Sequence, residues 1–402
     1  MLSKIYDVTV ILLIVIAITI IGYIFWNREA LFDKLAQITQ PNDELHDDLT
    51  PKTVKIPPRW LPFTQNLRNK AIYLQNDIEP ILYAADLGLP SQIDVLGQVV
   101  AVTDPSTGNV IVLEDVDGDN SADTKYVFAS RLRNPYGLYF YQKDLYVTTE
   151  NAVLVYKNFE TQYKNKSSEY ETVVGNLPTG GINVYKSLLV GPSGKIFVGI
   201  GSSCNACIEV DKRRGSIVTY NLDGSGEEIY ATGLRSPLDM EFIRGYLYIS
   251  EKSITSTANK FLEGQDMPDE INIVRNGEFY GWPFFVGDNQ VYNPNTSISE
   301  DFAVKPFISL KEGSTPTGLG YIDNKFGIQD SLLVSLKGDT TLTDINDGYK
   351  IVSINLQTKE IKDFSSWVIS DQSYVGIPSD VALYKNGVLI SDELNGVVYF
   401  FK

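Results

Sequence analysis

Four carboxylates at one short spacing, Asp115, Asp117, Asp119 and Asp123, with Gly118 among them, are the first group in this sequence able to do chemistry. The pattern Asp-x-Asp-Gly-Asp-x-x-x-Asp aims alternate carboxylates at one point, and the glycine admits the tight turn that brings them there. It predicts a calcium ion held for structure rather than catalysis, in a loop joining the first blade of a repeat array to the second. An acidic surface turn is the alternative. Cys204 and Cys207 are the only cysteines. Zinc needs about four ligands and no histidine stands near them. A redox Cys-x-x-Cys opens a helix after a strand, a context absent here. A disulfide stapling a small loop is expected, which fits an oxidising compartment; reduced thiols would follow if the domain faced the cytoplasm. The single histidine, His46, lies far toward the N-terminus, so no Ser-His-Asp set can form. The rings of Phe279-Tyr-Gly-Trp282-Pro-Phe-Phe could stack on a sugar, although packing between sheets is the plainer use of so much apolar area.

The elements that must position these groups recur. A proline followed by a strand-like run appears at Leu89-Pro90-Ser-Gln-Ile, Asn134-Pro135-Tyr-Gly-Leu, Ser236-Pro237-Leu-Asp-Met, Thr315-Pro316-Thr-Gly-Leu and Ile377-Pro378-Ser-Asp-Val. Each is followed by two or three short apolar runs split by turns. A sixth unit without the proline fits from Gly180 to Tyr220. A period of roughly 45 to 80 residues marks a radial array of sheets, most simply a six-bladed all-β propeller. The proline-bearing loops would then build the mouth of a central channel. Asp239 and Glu251 sit where a blade could aim them into it. Burial raises a carboxyl toward neutral pH, which would make either a candidate base; a hydrogen-bonded loop acid is the plainer reading.

The chain of 402 residues carries 50 acidic and 34 basic side chains, a net charge of −16. That balance excludes nucleic-acid backbones and anionic membrane surfaces as natural partners. Val8 to Trp26 is uncharged and long enough to span a bilayer as a helix. No small-x-small cleavage site follows it, so residues 1–30 read as an uncleaved anchor. Residues 31–68 read as a polar, proline-rich stalk or wrapped arm, and 69–402 as the propeller. Within Ala71–Asp86, Ile81-Leu-Tyr-Ala-Ala is a candidate strand that would pair with the last blade and close the ring.

Gly191-Pro192-Ser-Gly194-Lys-Ile-Phe-Val198, Gly201-Ser-Ser-Cys204-Asn-Ala-Cys207, Gly233-Leu-Arg-Ser-Pro237, Asp269-Glu-Ile-Asn272 and Gly277-Glu-Phe-Tyr-Gly-Trp-Pro283 follow one another in order. With Asp115–Asp123 and Leu332-Leu-Val-Ser-Leu-Lys337, they resemble the glucose/sorbosone dehydrogenase family over roughly residues 80 to 402. The Gly-Ser-Ser-Cys-Asn-x-Cys element looks most like the sorbosone-type branch. The resemblance implies a six-bladed propeller binding pyrroloquinoline quinone (PQQ) and calcium and oxidising a sugar or aldehyde. It also implies a histidine base, and Asn183 stands at that place here. An amide cannot take the proton, and losing a general base costs about 10²- to 10⁴-fold in rate. Arg235 matches the residue that polarises the quinone carbonyl, Ser236 stands where an asparagine usually follows, and Lys337 matches a lysine on the cofactor's anionic edge. An arginine that some members carry near Gly376-Ile377-Pro378 is missing. The expected function is a membrane-anchored, extracytoplasmic PQQ-dependent sugar or aldose dehydrogenase-like protein, degenerate at its base. The alternative is a non-catalytic propeller binding a glycan or protein at the mouth, as in the hedgehog-interacting protein.

Overall fold

The computed structural model describes residues 48–67, 70–75, 77–254, 267–288, 290–291, 299–339, 345, 347–370 and 373–402. The expected membrane span at 8–26, the first part of the stalk and His46 lie outside the described residues. Among the described residues no helix is long and apolar enough to cross a membrane.

Six antiparallel sheets follow one another, spanning 93–129, 138–174, 186–232, 237–309, 316–366 and 378–401. They are blades 1 to 6. The first strand of each (Ile93–Leu96, Leu138–Tyr141, Lys186–Val190, Pro237–Ile243, Pro316–Ile322 and Pro378–Tyr384) touches the first strand of the next, so these six ring the axis. The middle strands are buried on both faces. Val99–Asp104, Ser331–Leu336 and Gly387–Asp392 have no exposed residue, which is why they read as continuous apolar runs instead of alternating ones. The ring closes as expected: Pro80–Ala84 pairs with Val397–Phe401 as the fourth strand of blade 6. No edge is left between first and last blades.

The chain before that strand wraps the propeller. Thr50–Thr53 pairs with Ala71–Leu74, which pairs with Ile361–Ser366, so blade 5 gains two strands. Lys55 exchanges backbone hydrogen bonds with Pro80 and Leu82 at 2.9 Å each. Trp60 is buried and donates its indole N–H to Ser121 Oγ at 3.0 Å. Residues 50–67, for which stalk and wrapped arm were both open, thus form an arm packed on the propeller.

Pairing slips by one residue immediately after the prolines of blades 4, 5 and 6, between Pro237 and Asp239, Pro316 and Gly318, and Pro378 and Asp380. Proline cannot donate to a ladder and so sits at the first strand position. The bulge that follows re-aims the next side chain, and Leu238, Thr317 and Ser379 all line the cavity at the mouth. One residue later the chain reaches the joint between blades. Asp239 takes the Met240 N–H at 2.8 Å and, from blade 5, the Leu319 N–H at 2.7 Å. Asp380 takes Val381 N–H at 2.8 Å and Ile93 N–H of blade 1 at 2.6 Å. Asp94 repeats the arrangement with Val95 at 2.7 Å and Phe140 of blade 2 at 2.6 Å. Gly318, at the equivalent position of blade 5, leaves the space Asp380 occupies: a Cβ there would lie 2.2 Å from its Oδ1.

These aspartates share a chamber of about 390 Å³ with Glu241. Burial raises Asp94 to about 6 and Asp239 to about 7, against the N–H groups that favour their charge. Burial, with Asp239 nearby, lifts Asp380 well above the ordinary carboxyl range. A raised folded pKa means the native state holds the proton more tightly than the unfolded chain. The contribution is complete below about pH 4 and is lost as pH rises through 6 and 7. Stability is therefore expected to fall as pH rises from 5 toward 7, by up to about 1.4 kcal/mol per pH unit for each proton released, and the melting temperature with it. Asp239→Asn should be less stable, since its amide faces one of two backbone donors, and should flatten the slope. A melting temperature that rises over this range in both proteins would contradict the assignment.

Candidate functional site

The mouth is a cavity of about 380 Å³ at the N-terminal ends of the innermost strands. Every blade contributes: Ser91, Tyr136, Tyr185, Ser236, Thr315 and Ser379 are its wall just before or at those strands. The loops carrying the repeated prolines therefore do build the mouth.

A second set of wall residues comes from one position further along the repeat. Lys252, Lys337 and Glu393 are each the first residue after the second strand of blades 4, 5 and 6. They form ion pairs from blade to blade. Lys252 Nζ lies 2.9 Å from Asp339 of blade 5, and Lys337 Nζ meets the Glu393 carboxylate of blade 6. Both lysines on the wall thus face an internal carboxylate, and these pairs are charge-balanced. Tyr136 stacks on Tyr185 with centroids 4.9 Å apart, and Tyr349, also on the wall, stacks on Tyr374 at 3.9 Å. The sequence reading missed Lys252, Asp339, Glu393 and the tyrosines. Aligning the six units on their second strands would have found Lys252 and Glu393 opposite Lys337.

The residues singled out from sequence are brought together in part. Asn183, Ser236 and Lys337 line the cavity. Asn183 donates its amide to the Ser202 carbonyl at 2.9 Å. Arg235 is buried behind the wall. Its guanidinium donates to the Asn205 Oδ1 at 2.8 Å, the Ser253 carbonyl at 2.9 Å and the Lys252 carbonyl at 3.2 Å, and lies 5.8 Å over the Trp282 ring. Glu251 is also buried, accepting the Arg235 N–H and the Asn272 amide. Burial and the neighbouring Glu270 hold its carboxyl well above the usual range. Neither Glu251 nor Asp239 is on the mouth wall. Cys204 and Cys207 form the expected disulfide, beside the mouth.

The Asp115–Asp123 loop lies elsewhere. It connects the third and fourth strands of blade 1, Asn109–Glu114 and Thr124–Ala129, and not blade 1 to blade 2 as its spacing among the apolar runs suggested. Thr124–Ala129 completes the blade as its outer strand, with Thr124, Lys125 and Val127 exposed and only Phe128 and Ala129 buried, so it lacks the continuous buried run of the inner strands. One oxygen each from Asp115, Asp117 and Asp123 lie within 4.8 Å of one another. The donors suit calcium, but protein cations already hold them. Arg59 of the wrapped arm reaches Asp119 at 2.6 Å and also Asp123, with Asp117 at 3.7 Å. Lys385 of blade 6 meets the buried Asp115 at 2.5 Å. Calcium takes six to eight oxygens and would have to displace a guanidinium.

PQQ brings three carboxylates, and the residues here do not fit it. Two wall lysines are each paired to an acid, the matching arginine is turned away, and an amide stands where the resemblance implies the base.

The comparisons agree with the fold. A family profile described as a domain of unknown function, DUF7133, matches residues 91–270. An uncharacterised protein of Borreliella burgdorferi is 24% identical over 298 residues, 68% of this chain and 77% of its own. The holo PQQ domain of pyranose dehydrogenase from Coprinopsis cinerea superposes with a TM-score of 0.70 at 14% identity, covering 87% of this chain and 100% of that one. The calcium structure of a Trichoderma reesei carbohydrate-active enzyme of family AA12 gives 0.69 at 18%, covering 84% and 99%. The chain has the six-bladed propeller fold of PQQ-dependent sugar dehydrogenases. These likenesses do not single out the sorbosone-type branch.

Arg59→Ala is expected to lower the melting temperature by about 2 °C, a modest loss because the pair is partly solvated. Millimolar calcium should recover that loss in the variant and leave the parent nearly unchanged. An equal calcium response in both proteins would show that Arg59 does not stand in the ion's place.

Proposed function

We propose that this chain is a dehydrogenase-like propeller that binds a neutral saccharide at its mouth without oxidising it. The charge-balanced mouth carries this reading. Among the described residues, a ring of serine and threonine hydroxyls, two lysine–carboxylate pairs and stacked tyrosines offers donors, acceptors and flat apolar faces with no excess charge. Sugars present the same mixture of hydroxyls and apolar ring faces, and small-molecule sites fix orientation with a few such polar groups. The second reading, a working PQQ-dependent oxidation of a sugar or aldehyde, draws on the shared fold and on Lys337 at the cavity wall. Fold alone does not choose between them.

Ligand-observed NMR and calorimetry on the full-length chain in detergent, with neutral mono- and oligosaccharides in one series and PQQ with calcium in another, separate the two. Saccharide binding in the range of about 10 μM to 1 mM is expected, weakened about tenfold by Tyr185→Ala. PQQ should not bind. Tight PQQ binding with sugar-dependent reduction of a dye would overturn the proposal in favour of the enzyme.

We also propose that the propeller is held outside the cytoplasm by the apolar stretch at 8–26. The Cys204–Cys207 disulfide supports this, since such bonds persist in oxidising compartments. Protease applied outside intact cells should digest the propeller, and alkaline carbonate should leave the chain in the membrane fraction. A protected chain released by carbonate would refute it.

A further inference from the structure

The Cys204–Cys207 disulfide encloses two residues, Asn205 and Ala206, both exposed, while the cysteines themselves are half-buried. Among the described residues no backbone hydrogen bond holds Asn205 or Ala206 in place. The loop is fixed at its margins. Glu209 takes Ser202 Oγ at 2.6 Å, Ser203 N–H at 2.5 Å and Ser203 Oγ at 2.8 Å, and the disulfide closes the rest. Out of this loop Asn205 reaches inward to the buried Arg235 guanidinium.

That contact joins the disulfide to the mouth. Two further acceptors of the guanidinium are the carbonyls of Lys252 and Ser253, and Lys252 is a wall residue whose ammonium holds Asp339. Ser236, next in sequence to Arg235, is on the wall as well. Arginine keeps its charge at any physiological pH and its planar fork bonds only where the acceptors stand in matching positions. Moving the Asn205 oxygen therefore removes one of the bonds that keep this charge behind the wall.

We propose that Asn205 is a positioning residue for Arg235 and that the Cys204–Cys207 bond controls it. With the disulfide formed, Asn205 keeps the guanidinium turned away and the mouth is balanced. A dithiol reductant delivers two electrons and two protons: the S–S bond breaks, two thiols form, and the reductant leaves as its own disulfide. The opened loop releases Asn205, and Arg235 turns past Ser236 toward the mouth, giving it one excess positive charge. Oxidised protein then favours neutral ligands and reduced protein gains affinity for anionic ones.

Trp282, which lies under the guanidinium, reports on this without any ligand. Emission of the full-length chain is compared before and after dithiothreitol, with Trp282→Phe assigning the change against the other tryptophans. Reduction is expected to shift Trp282 emission. Oxidised Asn205→Ala should already show the reduced spectrum and respond no further, and it keeps both cysteines should Cys204→Ser/Cys207→Ser fail to fold. In parallel, gluconate binding should strengthen about tenfold on reduction while glucose binding stays level. Unchanged Trp282 emission after thiol titration shows two free thiols would overturn the proposal, as would an Asn205→Ala protein that responds like the parent. This test stands apart from the saccharide reading: if neither sugar binds, that reading fails and the emission result still decides the switch.

Discussion

Three aspartates at the joints between blades fix the register of half this ring. Apolar packing between blades is strong but has no direction, so by itself it would let one sheet slide against the next. Asp94, Asp239 and Asp380 each bond the N–H of the following residue and an N–H on the neighbouring blade's innermost strand. Blades 1 and 2, 4 and 5, and 6 and 1 are thereby locked at one height. Hydroxyls on second strands add to this: Thr103, Thr148 and Ser391 donate to carbonyls of Tyr136, Lys186 and Ser91 in the next blade. The lock works only because the proline and bulge before two of the aspartates separate what faces the joint from what faces the mouth. The same few residues set both the assembly of the ring and the shape of its opening.

The mouth inherits its character from that construction. Lys252, Lys337 and Glu393 sit at one repeated position, and each lysine meets an acid of the next blade, Asp339 or Glu393. An enzyme that must hold a tricarboxylate quinone needs those cations uncommitted and a base beside the substrate. Here the wall is internally satisfied, and Asn183 spends its amide on a backbone carbonyl. The fold is that of the sugar dehydrogenases, and its cavity wall pairs each lysine with a carboxylate of the next blade.

Much of the architecture was legible because the repeat was marked by prolines at or just before the first strand of a blade. Ring closure by Ile81-Leu-Tyr-Ala-Ala was readable from a strand with no local partner. The site was less so. Ion pairs between blades join residues far apart in sequence, and Lys252 becomes meaningful only once the blades are in register. The acidic loop misled for a physical reason: carboxylates at alternating positions suit calcium, and nothing local announces that Arg59, some sixty residues earlier, will sit across them. Of the two readings open for residues 31–68, a stalk or a wrapped arm, the described part from Thr50 takes the second; its prolines argue against long helices but not against short 3-10 turns such as Pro58–Phe63.

Ring closure also governs how the chain is born. Pro80–Ala84 emerges from the ribosome about three hundred residues before Val397–Phe401, its partner in blade 6. At about 5–20 residues per second that interval is roughly 15–60 s. Throughout it, an apolar strand and the growing last edge of the array are both without their final neighbours. Such edges pair readily with other chains. Lys55, made before either, bonds Pro80 and Leu82 and so covers only the outer edge of this strand; the edge that takes Val397–Phe401 has no neighbour until the last blade is made.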